Sequence, residues 1–214
     1  DIARDRTLTP EERKEMKHYS RLADAFTPLA KGMNSEYANQ NAYDAISVHG
    51  GSGFIMEYKC QRLFRDARIF SIYEGTTQLQ VVAAIRYVTN GTYLGIIKEM
   101  LEKEVAPEFQ ALKERVAKMV EKYEDAINYV KAAGNNDLHD FLARRLYEMT
   151  AEIIMSLLIL DDATRAPELF AKSANVYVRY AEGTVAGHYA YIKEFKAEDL
   201  ADFLAAAPEE APAE

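Results

Sequence analysis

Along this chain apolar residues recur at spacings of three and four, and nowhere do they alternate with polar ones in the period-two pattern of a half-buried strand. That periodicity belongs to amphipathic helices, so the expected fold class is all-α: an up-and-down helical bundle followed by a second helical bundle. Met16, Tyr19, Leu22 and Phe26 form the first stripe. Phe109, Leu112, Val116, Val120, Tyr123, Ile127 and Val130 form a longer one, and Leu138, Phe141, Leu142, Leu146, Met149, Ile153 and Leu157 another.

Punctuation between the stripes sets the boundaries. Thr9-Pro10-Glu11-Glu12 reads as a capping box with proline in the first helical turn. Thr27-Pro28 reads as a second helix start, because proline lacks an amide proton, and helical character then runs to about Val48 with Gly32 as its weak point. His49-Gly50-Gly51-Ser52-Gly53 predicts irregular backbone. Beyond it the expected order is a short helix over 58–67, an extended connector over 69–73, and a helix from Glu74-Gly75-Thr76 to Val88 closed by Asn90-Gly91. Long amphipathic helices follow from Pro107, Asp137 and Pro167, then a short one over 197–206. This divides the chain into units 1–90 and 91–206 and an acidic, proline-containing tail, 207–214, with the composition of disorder.

Charge and composition exclude several function classes. With 26 basic and 34 acidic residues the net charge is −8, which argues against an extended nucleic-acid footprint or binding to an anionic membrane surface. The longest near-continuous apolar run, 153–160, is far shorter than the roughly 20 residues of a membrane helix. A single cysteine, Cys60, rules out an internal disulfide framework and points to a cytoplasmic compartment. Apolar residues at 49% supply ample material for a core. The opening residues Asp1-Ile2-Ala3-Arg4 contain no Met and read as a processed terminus or as the interior of a longer polypeptide.

Most chemistry-bearing residues have plain structural readings. His18, His49, His139 and His188 are far apart and lack helix-spaced partners, so no metal site is expected. Cys60 has no neighbouring histidine in sequence and reads as structural. Gly183 and Gly187, four residues apart, suggest a close helix crossing. The glycine loop at 50–53 is neither a Walker loop nor a Rossmann turn, leaving a bare backbone that a flat or anionic ligand can approach. Glu74 stays open between two roles. It could cap the helix that starts behind it, or face an apolar pocket in which desolvation raises its pKa and makes it a usable base.

Taken together, His49-Gly50-Gly51-Ser52-Gly53-Phe54, Glu57-Tyr58, Arg65-Asp66-Ala67-Arg68-Ile69 and Ile72-Tyr73-Glu74-Gly75-Thr76-Thr77-Gln78-Leu79-Gln80 resemble the C-terminal signature of the acyl-CoA dehydrogenases. The resemblance covers roughly residues 10–90; the helices after 91 resemble, in texture, an extension carried by long bacterial members. It implies that the chain is a piece of a longer enzyme whose flavin-binding segment and β domain lie upstream, inactive alone and assembling as a homo-oligomer. Glu74 then corresponds to the base that removes the α-proton of an acyl thioester. Gly50 and Gly51 correspond to a loop against the adenine half of FAD, Thr76 and Gln78 to flavin contacts, and Tyr73 and Gly75 to the acyl-CoA site. FAD is the implied cofactor, and acyl-CoA and an electron-transfer flavoprotein are the implied partners. Ser47 departs from the pattern, standing where the family carries a flavin-contacting Gln. The competing reading is a non-catalytic helical assembly module.

Overall fold

The computed structural model describes residues 8–203, which contain helices and no strand. Helix α1 (Pro10–His49) is the spine of the N-terminal half. It opens on the expected capping box: Thr9 Oγ1 accepts from the Glu12 amide at 3.2 Å, and the Glu12 carboxylate accepts from the Thr9 amide at 2.9 Å.

The break expected at Thr27-Pro28 does not occur, and Pro28 sits inside α1. Proline removes the amide that would bond the Asp24 carbonyl, but Asp24 is exposed to solvent. The surrounding turn is held from outside. Tyr93 donates its hydroxyl to the Ala25 carbonyl, and Tyr147 donates to the carbonyls of Pro28 and Leu29 at 3.0 and 3.1 Å. Ala25, Pro28 and Leu29 are buried, so tertiary packing outweighs the local cost of the proline.

After α1 the chain reverses. Gly50 has φ 59° and the next residues form a single turn, α2 (Gly51–Phe54), so the glycine segment is less irregular than its composition suggests. A Cβ on Gly53 would stand 2.5 Å from the Ile46 carbonyl, which is why this turn can fold back onto α1. Helix α3 (Cys60–Ile69) returns antiparallel to α1, pairing Phe64 with Tyr43 and bringing the Phe70 carbonyl to Ser35. The segment expected to be extended, 69–73, is instead a turn: Phe70 N donates to Ala67 O, and Ile72 N and Tyr73 N both donate to Ile69 O. Helix α4 (Thr77–Thr89) continues down α1, with Thr77 opposite Glu36. Asn90 and Gly91 (φ 82°) end it as expected, and a helix the periodicity did not separate, α5 (Thr92–Glu102), follows.

Helices α6 (Gln110–Ala132), α7 (Asn136–Arg165) and α8 (Pro167–Glu194) run up, down and up. Every residue of the stripe from Phe109 to Val130 is buried. Aromatic stacking of Phe141 on Phe195 (4.7 Å between centroids) closes the lower end, and the expected last helix is a 3-10 segment, Ala197–Asp202. Gly183 and Gly187 do not mark a helix crossing: both are exposed with open space around them, while Ala181 and Val185 face the core. The expected disordered tail, 207–214, lies outside the described residues, as does the N-terminal segment before Leu8. One continuous apolar core joins α1 and α4 to α6, α7 and α8. The stripe of Met16 and Tyr19 stays outside it, both residues being exposed. No helix among the described residues is long and apolar enough to cross a membrane.

Candidate functional site

The turn over residues 70–76 brings Tyr73, Glu74, Gly75 and Thr76 to the junction of α3 and α4, with Gln78 on the first turn of α4. Thr76 is the N-cap of α4, its Oγ1 accepting from the Leu79 amide at 3.3 Å. The capping role left open for Glu74 is therefore filled by another side chain. Glu74 itself is exposed, and its carboxylate accepts no hydrogen bond among the described residues.

The backbone beneath it is strained. Glu74 has φ 49° and Gly75 φ 90°, two successive residues in the left-handed region. For a residue with a Cβ that conformation costs roughly 1–2 kcal/mol and persists only where neighbouring structure enforces it. The enforcement comes from α1 and α4. Lys31 Nζ donates to the carbonyls of Phe70, Tyr73 and Gly75 at 2.7, 3.1 and 2.6 Å. Gln80 Nε2 donates to the same Gly75 carbonyl at 3.2 Å, and Arg68 donates to Ser71 within the turn. Thr77 Oγ1 donates to Glu36 Oε1 at 2.6 Å, tying the start of α4 to α1. A shallow cleft beside the turn is lined by Ala30, Lys31, Asn34, Ser35, Phe70 and Tyr73.

Gly50 and Gly51 are not brought to this turn. They lie at the far end of α1, 19 residues beyond Lys31, or about 28 Å at 1.5 Å per helical residue. Both expose bare backbone to open space, with exposed Ser47 one turn away. The apolar side chains around them, Val48 (85% exposed), Phe54 (78%) and Met56 (87%), stand in solvent. No group of three or more potential metal ligands occurs among the described residues. His139 pairs with Asp140 at 2.9 Å on the surface, and Cys60 is a half-buried free thiol opening α3.

Two polar clusters were not anticipated from the sequence. Glu152, buried on α7, receives the hydroxyls of Tyr37 (2.8 Å) and Tyr177 (2.7 Å) and so bolts α1 to α7 and α8. Burial first, and the Glu152 charge beside them, push both phenols well above the ordinary 10.0. A carboxylate between the core positions Met149 and Ile153 was the available signal. Glu148 lies between Arg144 (2.8 Å) and His188 (3.0 Å); burial alone would raise its carboxyl, but those hydrogen bonds and charges win and hold it below its ordinary value. Lys31 was not singled out from the sequence, although a lone lysine between the apolar pairs Leu29-Ala30 and Gly32-Met33, on the buried stretch of α1, was the available signal.

Comparison with known proteins adds the family. The model for the acyl-CoA dehydrogenase C-terminal domain matches residues 11–88, and a second, for the acyl-CoA dehydrogenase C terminus, matches 89–200. The caffeyl-CoA reductase–Etf complex subunit CarC of Acetobacterium woodii is 50% identical over 52 residues, 24% of this chain and 14% of that protein. The 3-(aryl)acrylate reductase of Clostridium sporogenes is 47% identical over 58 residues, 27% of this chain and 15% of its own length. An acyl-CoA dehydrogenase of Bacillus subtilis is 39% identical over 64 residues, 30% of this chain and 17% of that protein. The matched stretch is thus a small share of each of these three relatives. Among solved structures, an acyl-CoA dehydrogenase family protein of Porphyromonas gingivalis aligns with a TM-score of 0.51 and 38% identity, covering 53% of this chain and 98% of that one. Since the match over 89–200 alone takes in more than half of the 214 residues and its neighbour takes in most of the remainder, the chain belongs to the acyl-CoA dehydrogenase family.

Proposed function

We propose that this chain is the C-terminal part of an FAD-dependent acyl-CoA dehydrogenase in which Glu74 is the base. The observation that carries the reading is the state of Glu74: a strained, exposed carboxylate relieved of helix capping by Thr76. A side chain with no structural task in an enforced left-handed backbone is what a positioned catalytic group requires. The carboxylate removes the proton from the α-carbon of the acyl thioester. Main-chain amides at the turn stabilise the charge that develops on the thioester oxygen. FAD, when bound, supplies the acceptor for the hydride of the β-carbon.

This chain's residues fit such a cofactor in two places. Thr76 keeps its hydroxyl proton free while capping, and Gln78 is exposed beside it; Gly50 and Gly51 offer uncovered backbone at the other end of α1. Tyr73, 44% exposed, and Gly75 face the acyl-CoA. The wide separation of the two glycines from Glu74 suits contact with the cofactor of a neighbouring subunit, in a homo-oligomer that also covers the apolar side chains near Gly50. Residues 1–90 form the dehydrogenase unit and 91–206 an added helical unit that braces it through Tyr147 and Glu152. Electron-transfer flavoprotein is the proposed acceptor, supported by the Etf complex in the name of the Acetobacterium woodii relative. A cytoplasmic location accords with the single reduced cysteine. The rival reading, a non-catalytic assembly module, has no use for a strained carboxylate.

The test is Glu74→Gln in the complete enzyme. Gln keeps the shape and cannot take a proton, so bleaching of the flavin by acyl-CoA should fall by about 10² to 10⁴, with FAD content and acyl-CoA affinity retained. Near-normal bleaching would remove Glu74 from the chemistry. The 214 residues alone should give a helical circular-dichroism spectrum and little FAD affinity.

A further inference from the structure

We propose that Lys31 is a positioning residue for Glu74, its ammonium setting the direction of the carboxylate by gathering three main-chain carbonyls of the turn; this rests on the reading of Glu74 as the base. The ammonium has three N–H donors and no acceptor, and all three are engaged, at 2.7 Å on Phe70, 3.1 Å on Tyr73 and 2.6 Å on Gly75. The last two carbonyls belong to the residues immediately before and after Glu74. The Tyr73 carbonyl lies in the peptide plane that enters the Glu74 Cα and the Gly75 carbonyl in the plane that leaves Gly75, so one ammonium pins both ends of the left-handed Glu74–Gly75 pair and with it the base of the Glu74 side chain.

The turn's own backbone bonds cannot do this. The amides of Phe70, Ile72, Tyr73 and Thr77 bond to the carbonyls of Ala67, Ile69 and Ser71, leaving those of Tyr73 and Gly75 to outside donors. Gln80 reaches only Gly75, and more loosely, at 3.2 Å; Ser35 reaches only Phe70, at 3.0 Å. Among the described residues Lys31 is the one donor that spans the segment. Its ammonium also lies 5.8 Å from the centre of the Tyr73 ring, so it orients a proposed wall of the acyl site as well. Because Lys31 stands on α1, the placement of the base is referred to the longest helix of the molecule rather than to the turn that carries it.

The experiment replaces Lys31 in the complete enzyme. Lys31→Met keeps the length of the stem and removes all three donors. Single-turnover bleaching of the flavin by a saturating straight-chain acyl-CoA should slow about 10- to 100-fold, since a misplacement on the scale of 1 Å costs that much. KM and FAD content should stay within about twofold of the parent. Amide exchange at Ile72, Tyr73 and Thr77 should quicken while that of α6 and α7 does not change. A merely structural role would instead lower the unfolding midpoint and leave the saturated rate intact. Lys31→Arg keeps the charge, but a planar fork cannot converge on three carbonyls as an ammonium does, so it should restore folding more than rate. If Lys31→Met does not assemble, Lys31→Arg carries the same reading, and a wild-type rate in it overturns the proposal. Glu74→Gln separates the two possible failures. If that variant still bleaches, the base lies elsewhere and the role of Lys31 falls with it. If it is dead while Lys31→Met bleaches normally, only the inference about Lys31 is overturned.

Discussion

Gly32 and Tyr147 occupy complementary space: a Cβ on Gly32 would stand 2.1 Å from the Tyr147 hydroxyl oxygen. That hydroxyl cannot simply step aside, because Tyr147 is buried and donates to the carbonyls of Pro28 and Leu29. Two effects oppose one another in Gly32→Ala. Alanine favours the helix by about 1 kcal/mol, while overpacking and the displaced hydroxyl cost about 2–4 kcal/mol. The second wins, so Gly32→Ala should be destabilising by about 1–3 kcal/mol in urea unfolding. Tyr147→Phe in the same background should relieve part of that loss.

This pair shows why the sequence misled at Pro28. Proline and glycine four residues apart on a helix look like a break when read locally. Their meaning depends on Tyr147, more than a hundred residues away, whose contact no local pattern contains. The stripes of α6 and α7 were legible because a three-helix bundle buries one face of each helix, and periodicity records that face directly. Gly183 and Gly187 were misread for the same reason: spacing gives the helical face but not whether another helix covers it. At the site, Glu74 and Gly75 stood out through their motif, while the bonds that hold them run from Lys31 and Gln80, ordinary polar residues on helices.

Glu152 and its two phenols should behave as one unit. Tyr37→Phe and Tyr177→Phe each leave the carboxylate one charge-assisted donor, costing about 1–2 kcal/mol. The double variant leaves a buried charge with neither phenol and should cost more than the sum, a coupling readable in a double-mutant cycle. The phenols also set an alkaline limit. Their folded pKa is raised above the ordinary 10.0, so their contribution is complete below about 10 and is lost as pH rises above it. The double Phe variant should therefore lose stability less steeply than the parent in that range.

Acid sensitivity should trace to Glu148. Its carboxyl titrates below the ordinary 4.5 in the folded chain, so the unfolded chain binds the proton more readily. The stabilisation is complete above about 4.5 and is lost as pH falls through the lowered folded value. With Arg144 partly exposed and the pair partly screened, its worth is about 1 kcal/mol. Glu148→Gln should lower stability at neutral pH by that amount, and the difference from the parent should vanish once the pH falls below the lowered folded value. A constant gap between the two proteins from neutral pH to acid would assign the effect to packing.

Gly75 is expected to be irreplaceable for a reason separable from space. A Cβ there would meet Gln80 Nε2 at 2.6 Å, but that atom is the tip of a flexible side chain and can swing away at the cost of its bond to the Gly75 carbonyl. The φ of 90° offers no such escape, because an alanine there strains against its own backbone by roughly 1–2 kcal/mol. The turn would relax by rotating the peptide that follows Glu74, moving the carboxylate. Gly75→Ala should therefore be mildly destabilising, and in the complete enzyme it should slow flavin bleaching by about 10²-fold. Gln80→Ala removes the bond without the strain and should have a much smaller effect on rate. In the double variant Gly75→Ala/Gln80→Ala the clash is gone and the strain remains, so bleaching should stay as slow as in Gly75→Ala alone. Recovery of the rate in the double variant would show that glycine is needed only for room beside Gln80, and that the left-handed backbone is not what aims Glu74.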